Sequence, residues 1–305
     1  MGSRPELTGS AALFYNSKEA AKYDSSSRMI GIQREITERA IELLRLPEEK
    51  AAYILDIGCG SGLSGKVLEE YGHFWVGCDV SRDMLTIAND RIQRSNKKRE
   101  DTTMKDNDND DDDDEDDYPS PGDLMHHDMG TGLPFRDATF DACISISALQ
   151  WLCYSNAKNQ IPKKRLTRFF SSLYRILRRG GRAVLQFYPE TAEQAVLIGE
   201  CATRVGFAGG IVVDYPNSAK AKKHYLVLSF DRTTKHQQNA KGLDGSLGVR
   251  VEEIERKKKA RPIRKKKGGI KTKEWILKKK ETQRKRGKEV RPDSKYTARR
   301  RPHKF

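Results

Sequence analysis

The stretch YILDIGCGSG, residues 53–62, decides the fold of this chain. Its first half is an apolar run of strand length that ends in an acid, and its second half is a turn with three glycines. From Leu63 onward, apolar residues recur at the spacing of one helix face. A second apolar run, residues 73–79, again has strand length and again ends in an acid. Strand, tight turn, helix and strand in this order indicate a parallel sheet covered by helices.

The same alternation continues on both sides of this stretch. Helical spacing predicts helices over residues 31–46, 165–181 and 190–205. Ser81 is placed to cap another helix, which would turn Met84, Leu85 and Ala88 inward. Apolar runs predict further strands within residues 123–129, 140–147, 182–188, 211–215 and 225–230. We therefore expect an α/β fold with a doubly wound, Rossmann-like, mostly parallel seven-stranded sheet.

Charge is distributed unevenly along the 305 residues. Residues 231–305 hold 28 basic and 9 acidic residues, a net charge of +19, whereas residues 1–230 hold 30 basic and 34 acidic residues, a net charge of −4. Residues 101–117 alone contain 11 acidic residues and one lysine. This segment has too few apolar groups to form a core. We therefore expect an N-terminal arm and helix (1–50), a main domain (51–230) and a basic tail (231–305). The acidic insert within the main domain (98–121) should be disordered, and the tail largely so. The charge of the tail is typical of a segment that binds a polyanion.

Several classes of protein are disfavoured. The longest weakly polar run, residues 142–153, is too short to span a bilayer, and the N-terminus lacks the apolar core of a signal peptide, so we expect no membrane association. Five cysteines without CxxC spacing predict buried thiols in a reducing compartment rather than disulfides or a zinc site, and we expect no bound metal. These cysteines are Cys59, Cys78, Cys143, Cys153 and Cys201.

The glycine-rich turn is the strongest local signal for a ligand. Gly58, Gly60 and Gly62 do not follow the G-x-G-x-x-G spacing of a pyrophosphate-binding turn. Asp56, just before the turn, would repel a phosphate but attract the cationic amino group of a methionine. The turn therefore favours the nucleoside of S-adenosylmethionine over a dinucleotide, although a tight turn without chemical function remains the alternative.

Two further acids follow the next predicted strands. Asp79 lies where an acidic side chain can accept both ribose hydroxyls, and Asp128 lies where one can accept from the adenine amine. The alternatives are a cap of the next helix for Asp79 and an ordinary turn residue for Asp128. Because parallel strands end at one edge of the sheet, we expect Asp56, Asp79 and Asp128 to converge there.

Stretches outside the glycine motif carry a more specific resemblance. The chain resembles the class I S-adenosylmethionine-dependent methyltransferases and, among them, the eukaryotic 18S rRNA (guanine-N7) methyltransferase family of yeast bud-site selection protein 23 and the Williams–Beuren region methyltransferase. PNSAKAKK (216–223) and RPDSKYTARRRP (291–302) are its most specific segments. The matching stretches are residues 27–33, 55–65, 72–81, 140–153, 164–190, 206–228 and 274–305.

The resemblance implies a cofactor, S-adenosyl-L-methionine, and a set of residues that surround it. Guanine N7 carries a free lone pair, so no catalytic acid or base is expected. Gln150 and Trp151 should instead border the methyl-transfer pocket, with core packing as the alternative for Trp151. The N-terminal arm, with Tyr15 and Tyr23, should cover the cofactor. The expected cofactor-binding residues are Arg28, Asp56, Gly58, Cys59, Gly60, Asp79, Val80, Met84, Asp128, Met129 and Ser145.

The resemblance also implies partners and a location. A small zinc-binding activator subunit should add to the edge strand near Leu124–His127, beside exposed apolar residues such as Phe74 and Trp75. The basic tail should bind 18S rRNA in the small-subunit pre-ribosome and direct the chain to the nucleus and nucleolus, with a cytoplasmic pool. Two alternatives remain: a ribosome-assembly factor whose presence matters more than its catalysis, and a tRNA or small-molecule methyltransferase of the same fold.

Overall fold

The structure is a computed structural model that describes residues 4–47, 50–106, 121–157, 160–218, 221–230, 273–285, 287 and 289–293. Its α-helices are α1 (Ala11–Phe14), α2 (Ser17–Ser25), α3 (Ser27–Leu44), α4 (Leu63–Glu70), α5 (Arg82–Asp106), α6 (Pro162–Ile176), α7 (Ala192–Val205) and α8 (Lys273–Lys285). Its strands are β1 (Tyr53–Ile57), β2 (Phe74–Asp79), β3 (Gly122–His126), β4 (Phe140–Ile146), β5 (Leu177–Phe187), β6 (Ala208–Asp214) and β7 (Lys223–Ser229). Short 3₁₀ helices span Pro5–Leu7, Met129–Thr131 and Leu149–Cys153.

The seven strands form one sheet in the order β3-β2-β1-β4-β5-β7-β6. The pairs from β3 to β5 are parallel, and β7 runs antiparallel to both of its neighbours. The chain leaves β1 towards β2 and β3 and then returns to β4 on the other side of β1. This reversal opens a crevice at the carboxyl ends of β1 and β4, where ligands bind in open α/β sheets. The predicted doubly wound, mostly parallel fold is confirmed.

Two apolar layers, one on each face of the sheet, hold the helices in place. On one face, Phe169 and Phe170 of α6 and Ile198 of α7 belong to a fully buried cluster with Leu55 and Ile57. On the other face, α3, α4 and α5 bury their apolar residues in a second cluster that contains Ile54. The side chains of β1 therefore alternate between the layers, as expected for a central strand covered on both faces.

The boundary between α6 and β5 differs from the prediction. The helix ends at Ile176 and the strand begins at once, so Gly180 and Gly181, the last two residues of the predicted helix 165–181, lie within β5. Leu177 pairs with Phe140, but the next paired residue is Arg182, and the intervening residues form a bulge. A Cβ atom at Gly181 would lie 2.6 Å from the Asp141 carbonyl oxygen, so the close approach of the two strands requires glycine there.

Two segments expected to be disordered contain helix. The acidic insert was expected from residue 98, but α5 continues to Asp106. Straight-chain charged residues have good helix propensity, so a helix can continue where its apolar pattern stops. In the tail, α8 is described, and Lys280 and Arg284 both pair with Asp293, at 2.9 and 2.8 Å. The rest of the insert, residues 107–120, and residues 231–272 of the tail lie outside the described residues.

Strand β3 lies at the edge of the sheet, as predicted. Phe74 beside it is 43% exposed, but Trp75 is only 2% exposed, so its predicted exposure was wrong. The indole fills space left by glycines: a Cβ atom at Gly65 or Gly122 would lie within 2.5 Å of it. Trp75 also donates a hydrogen bond from Nε1 to Glu69, at 3.0 Å. The period of a strand turns neighbouring residues to opposite sides, which separates Trp75 from Phe74.

Four of the five cysteines are buried, and Cys153 is half-buried. Burial raises the pKa of each of these thiols above its ordinary value. Such thiols stay protonated and behave as small apolar side chains. Within the described ranges, no helix has both the length and the apolar character to cross a membrane.

Candidate cofactor and substrate site

The glycine-rich turn after β1 is tied to the end of β2 by its own amides. Gly58 and Cys59 both donate backbone N–H groups to the Cys78 carbonyl oxygen, at 2.7 and 3.2 Å. Gly60 donates its N–H to Asp79 Oδ2, at 3.0 Å. A pyrophosphate site needs such amides free to face the ligand, and here they are engaged. The turn therefore presents a compact backbone surface instead of an anion cradle.

Gly58 is required by packing as well as by conformation. Its φ is +72°, in the left-handed region that favours glycine. A Cβ atom at this position would lie 2.2 Å from the Cβ of Ala148, which follows β4. The turn thus packs directly against the segment that leads to Gln150 and Trp151.

Asp56 is fully buried near the end of β1. Ser64 of α4 donates a hydrogen bond to its Oδ2, at 2.5 Å, while Oδ1 has no hydrogen-bond partner among the described residues. Burial raises the pKa of the Asp56 carboxyl to about 7, and the Ser64 hydrogen bond opposes this rise. A buried acceptor without a partner fits the predicted ammonium group of the cofactor, since a cation there would satisfy Oδ1 and stabilise the charged form.

Asp79 holds the turn and the start of α5 together. Its two carboxylate oxygens accept backbone N–H groups from Gly60 and Ser81, at 3.0 and 2.8 Å. The cap of α5 is Ser81, whose Oγ accepts from the Met84 N–H at 3.2 Å. Burial raises the pKa of Asp79, and these backbone hydrogen bonds oppose the shift. Each carboxylate oxygen keeps further acceptor capacity, so ribose hydroxyls can be added to the existing bonds.

Asp128 is engaged by a residue that the sequence analysis did not single out. Its Oδ1 accepts the Gly130 N–H at 2.8 Å, which is the turn role considered as the alternative. Arg165 of α6 also reaches both carboxylate oxygens from Nη2, at 2.8 and 2.9 Å. A Cβ atom at Gly130 would lie 2.3 Å from Arg165 Nε, so the guanidinium lies flat against the turn. The arrangement fixes the orientation of the Asp128 carboxylate.

Three predicted contacts are occupied by the protein itself. The Ser145 hydroxyl donates to the Ile57 carbonyl oxygen at 2.7 Å and ties β4 to β1. The side chain of Cys59 is buried in the apolar layer below the turn. The Val80 carbonyl oxygen lies 3.0 Å from Nε2 of His126. Any contact of Cys59 with a cofactor would therefore come mainly from its backbone, whereas Val80 keeps a half-buried side chain for such a contact.

Two predicted methionines border the same edge of the sheet. Met84 is buried, and its methyl group lies 3.7 Å from the Cβ position of Gly60. Met129 begins the short helix after Asp128 and packs against the core. Arg28, by contrast, lies exposed on α3.

Gln150 and Trp151 lie in the short helix that follows β4. Gln150 donates from Nε2 to the Ser147 carbonyl oxygen at 2.8 Å, whereas its buried Oε1 lacks a hydrogen-bond partner in the part of the chain that the structure describes. Trp151 is buried, and its ring centroid lies 6.1 Å from Phe14 and 6.0 Å from Tyr15. Trp151 thus packs, as in the alternative interpretation, but it packs against the arm.

The N-terminal arm is fastened over this edge of the sheet at several points. Ser81 donates from Oγ to the Tyr15 carbonyl oxygen at 2.7 Å. Arg91 of α5 pairs with Asp24 of the arm and donates from Nε to the Ser61 carbonyl oxygen at 2.9 Å. Burial, followed by the nearby charge of Asp79, raises the pKa of Tyr15 to about 12. These contacts fix the arm beside the glycine turn, with Arg91 as a fastening that sequence reasoning missed, and cover of the cofactor by the arm stays a prediction.

Comparison with known proteins agrees with this fold. A family model described as a methyltransferase domain matches residues 55–185, and one described as a methyltransferase involved in Williams-Beuren syndrome matches residues 228–303. The solved magnesium protoporphyrin IX methyltransferase of Synechocystis, which has bound SAM, aligns with 75% of this chain and 98% of its own at a TM-score of 0.51 and 14% identity. The fold and the site define a class I methyltransferase.

Comparison with curated relatives identifies one family within this class of methyltransferases. The chain is 49% identical to the mouse 18S rRNA (guanine-N(7))-methyltransferase, over 99% of this chain and 98% of that protein. It is 43% identical to the Saccharomyces cerevisiae 18S rRNA (guanine(1575)-N(7))-methyltransferase, over 99% of this chain and all of that protein. The chain belongs to the 18S rRNA (guanine-N7)-methyltransferase family, as the resemblance predicted.

Proposed function

We propose that this chain transfers the methyl group of S-adenosylmethionine to guanine N7 of 18S rRNA in the maturing small ribosomal subunit. The observation that carries the proposal is the buried Oδ1 of Asp56 beside the glycine turn, which has no hydrogen-bond partner among the described residues, in a chain of this family. When bound, the cofactor supplies an electrophilic methyl group on a sulfonium. Asp56 would hold its ammonium, Asp79 its ribose and Asp128 its adenine amine.

The remaining work of the chain is positioning. Guanine N7 attacks with a free lone pair, so no residue has to remove a proton first. Trp151 is buried against Phe14 and Tyr15 of the arm, and this packing would exclude water from the reacting centre.

The experiment is to deplete the chain from cells and map N7-methylguanine in small-subunit rRNA by borohydride reduction and aniline cleavage. We expect one cleavage site to disappear, to return with the wild-type chain and to stay absent with Asp56→Asn. Unchanged methylation on depletion would contradict the proposal. If Asp56→Asn restores subunit production without methylation, the presence of the chain matters separately from its catalysis.

We also propose that a small zinc-binding activator adds a strand to β3. The support is the edge position of β3 and the 43% exposure of Phe74 beside it. Expression alone should give poorly soluble protein with little activity, and co-expression should give a stable heterodimer. Phe74→Ser should weaken the heterodimer, and Tyr71→Ser, an equally exposed residue before β2, serves as the control. A soluble, monomeric and fully active chain would contradict this proposal.

The basic tail is proposed to bind rRNA and to support nuclear and nucleolar accumulation, with a cytoplasmic pool. Its support is the net charge of +19 and the family match over residues 228–303. Removing residues 256–305 should lower RNA affinity and flatten its salt dependence, while cofactor affinity stays unchanged. An identical salt slope without the tail would contradict it. Deleting residues 107–120 of the acidic insert should leave catalysis intact.

A further inference from the structure

Glu6 is a buried acid that the cofactor site does not use. It lies in the 3₁₀ turn Pro5–Leu7 and is only 4% exposed, and its Oε2 has no hydrogen-bond partner within the described ranges. Burying a carboxylate oxygen without a hydrogen-bond partner costs free energy. A ligand that donates a hydrogen bond to this oxygen would remove that cost. Nothing local in the sequence distinguishes Glu6 from an exposed acid of an N-terminal arm.

The position of Glu6 is fixed by contacts that lead to the substrate side of the crevice. Arg4 donates from Nη2 to the Tyr188 carbonyl oxygen at 3.1 Å, which fastens the turn beyond the carboxyl end of β5. Tyr188 lies two residues after Gln186, whose Oε1 accepts from the Ser147 hydroxyl at 2.8 Å. The Ser147 carbonyl oxygen accepts from Gln150 Nε2 at 2.8 Å, and Trp151 follows Gln150. The turn that holds Glu6 is therefore tied to the β5 side of the site, whereas Asp56, Asp79 and Asp128 follow β1, β2 and β3.

A second acceptor lies on the same side of the site. Gln150 donates from Nε2 to the Ser147 carbonyl oxygen, which sets the orientation of its amide. Its Oε1 is buried and lacks a hydrogen-bond partner among the residues described, as Glu6 Oε2 does. Two such acceptors fit a ligand that carries hydrogen-bond donors along one edge.

We propose that Glu6 recognises the target guanine through its Watson–Crick edge. This inference rests on the proposed function and adds how the base is chosen. Guanine presents two neighbouring donors there, N1–H and the N2 amino group, whereas adenine presents an acceptor at N1. A carboxylate that accepts from this edge leaves N7, on the imidazole side of the base, free to meet the methyl group. Gln150 Oε1 is the neighbouring acceptor.

The test compares full-length wild type with Glu6→Gln, in complex with the activator if that is required for solubility. The substrates are small-subunit rRNA with guanine or with inosine, which lacks the N2 amino group, at the methylated position. Wild type should prefer guanine by about 10- to 100-fold in kcat/KM, because a site built for a donor rejects an analogue that lacks it. Glu6→Gln should raise the KM for RNA and reduce the preference below about 3-fold.

Glu35→Gln is the matched control, since it removes the same charge from an exposed position on α3. It should behave as wild type, and all three proteins should bind S-adenosylmethionine equally. An unchanged preference for guanine in Glu6→Gln would overturn the inference, as would a loss of cofactor affinity, which would place Glu6 in the cofactor site. A wild type that methylates neither RNA would instead overturn the proposed function.

Discussion

The crevice has two halves, named for the ligands proposed to bind there: the cofactor half at the ends of β1 and β2, and the base half after β4 and β5. In the cofactor half, each acid is held by neighbours close in sequence: Asp56 by Ser64, and Asp79 by Gly60 and Ser81. In the base half, Tyr15 of the arm meets Trp151 after β4, across more than a hundred residues. The first half is therefore complete as soon as strand, turn and helix form, whereas the second exists only when the arm is fastened.

The halves also differ in how their polar groups are satisfied. In the cofactor half, Asp79 is already bonded to the backbone of the protein, and Asp56 Oδ1 is the acceptor left over. In the base half, Glu6 Oε2 and Gln150 Oε1 both lack partners among the described residues. Each half therefore leaves buried acceptors for the ligand proposed to bind there, one in the cofactor half and two in the base half.

The largest effect is expected from Asp56→Asn, which removes the charge from the cofactor half. The affinity for S-adenosylmethionine should fall by about 100-fold, because a charge-assisted hydrogen bond to the ammonium is lost in a buried site. Asp137→Asn, an exposed acid paired with Arg175, is the control and should leave affinity unchanged. Calorimetric titration measures both. Equal affinities of Asp56→Asn and wild type would remove Asp56 from the cofactor site.

The second-largest effect is expected where the glycine turn after β1 packs against Ala148, the contact between the two halves. Gly58→Ala should lower the free energy of unfolding by about 3 kcal/mol, since it adds both a left-handed alanine and an overlap with Ala148. Gly72 has a similar φ of +76°, but a Cβ atom there would have no other atom within 4 Å. Gly72→Ala should therefore lower the free energy of unfolding by only about 1 kcal/mol. Denaturant unfolding compares them. Equal losses would show that the packing of the turn against Ala148 is unimportant.

The smallest effect is expected from Arg165→Ala, which frees the carboxylate of Asp128. Cofactor affinity should fall by about 5-fold, because a partly exposed ion pair that positions a ligand group contributes about 1 kcal/mol. Arg168→Ala, one turn further along α6 and exposed, should bind as wild type does. Equal affinities of Arg165→Ala and Arg168→Ala would show that Asp128 needs no support from α6.

The difference between the halves also explains what could be predicted from the sequence. The acids Asp56 and Asp79 were predictable because strand, turn and helix follow one another within 25 residues, and that local order places them. Arg165 and Glu6 were not, because their roles depend on partners brought together only by the folded sheet.

The same limit applies to backbone structure. The strands of the sheet were recognisable from apolar runs, but the boundary between α6 and β5 was misplaced. Glycine usually ends a helix, and here Gly181 instead serves the close approach of β5 to Asp141 in the neighbouring strand. Trp75 was expected at the surface for a related reason, since the glycines that make room for it, at positions 65 and 122, lie outside its own strand.

Whether Asp56 anchors the cofactor is tested most directly by counting protons. Because the pKa of its buried carboxyl is about 7, Asp56 in the free chain is mostly protonated at pH 6, and it must ionise to hold an ammonium. Cofactor affinity should therefore rise with pH up to about 7 and then level off. Calorimetry at pH 6 in two buffers of different ionisation enthalpy should show the release of about 0.9 proton per cofactor in wild type and none in Asp56→Asn. Binding by wild type without proton release would contradict the assignment.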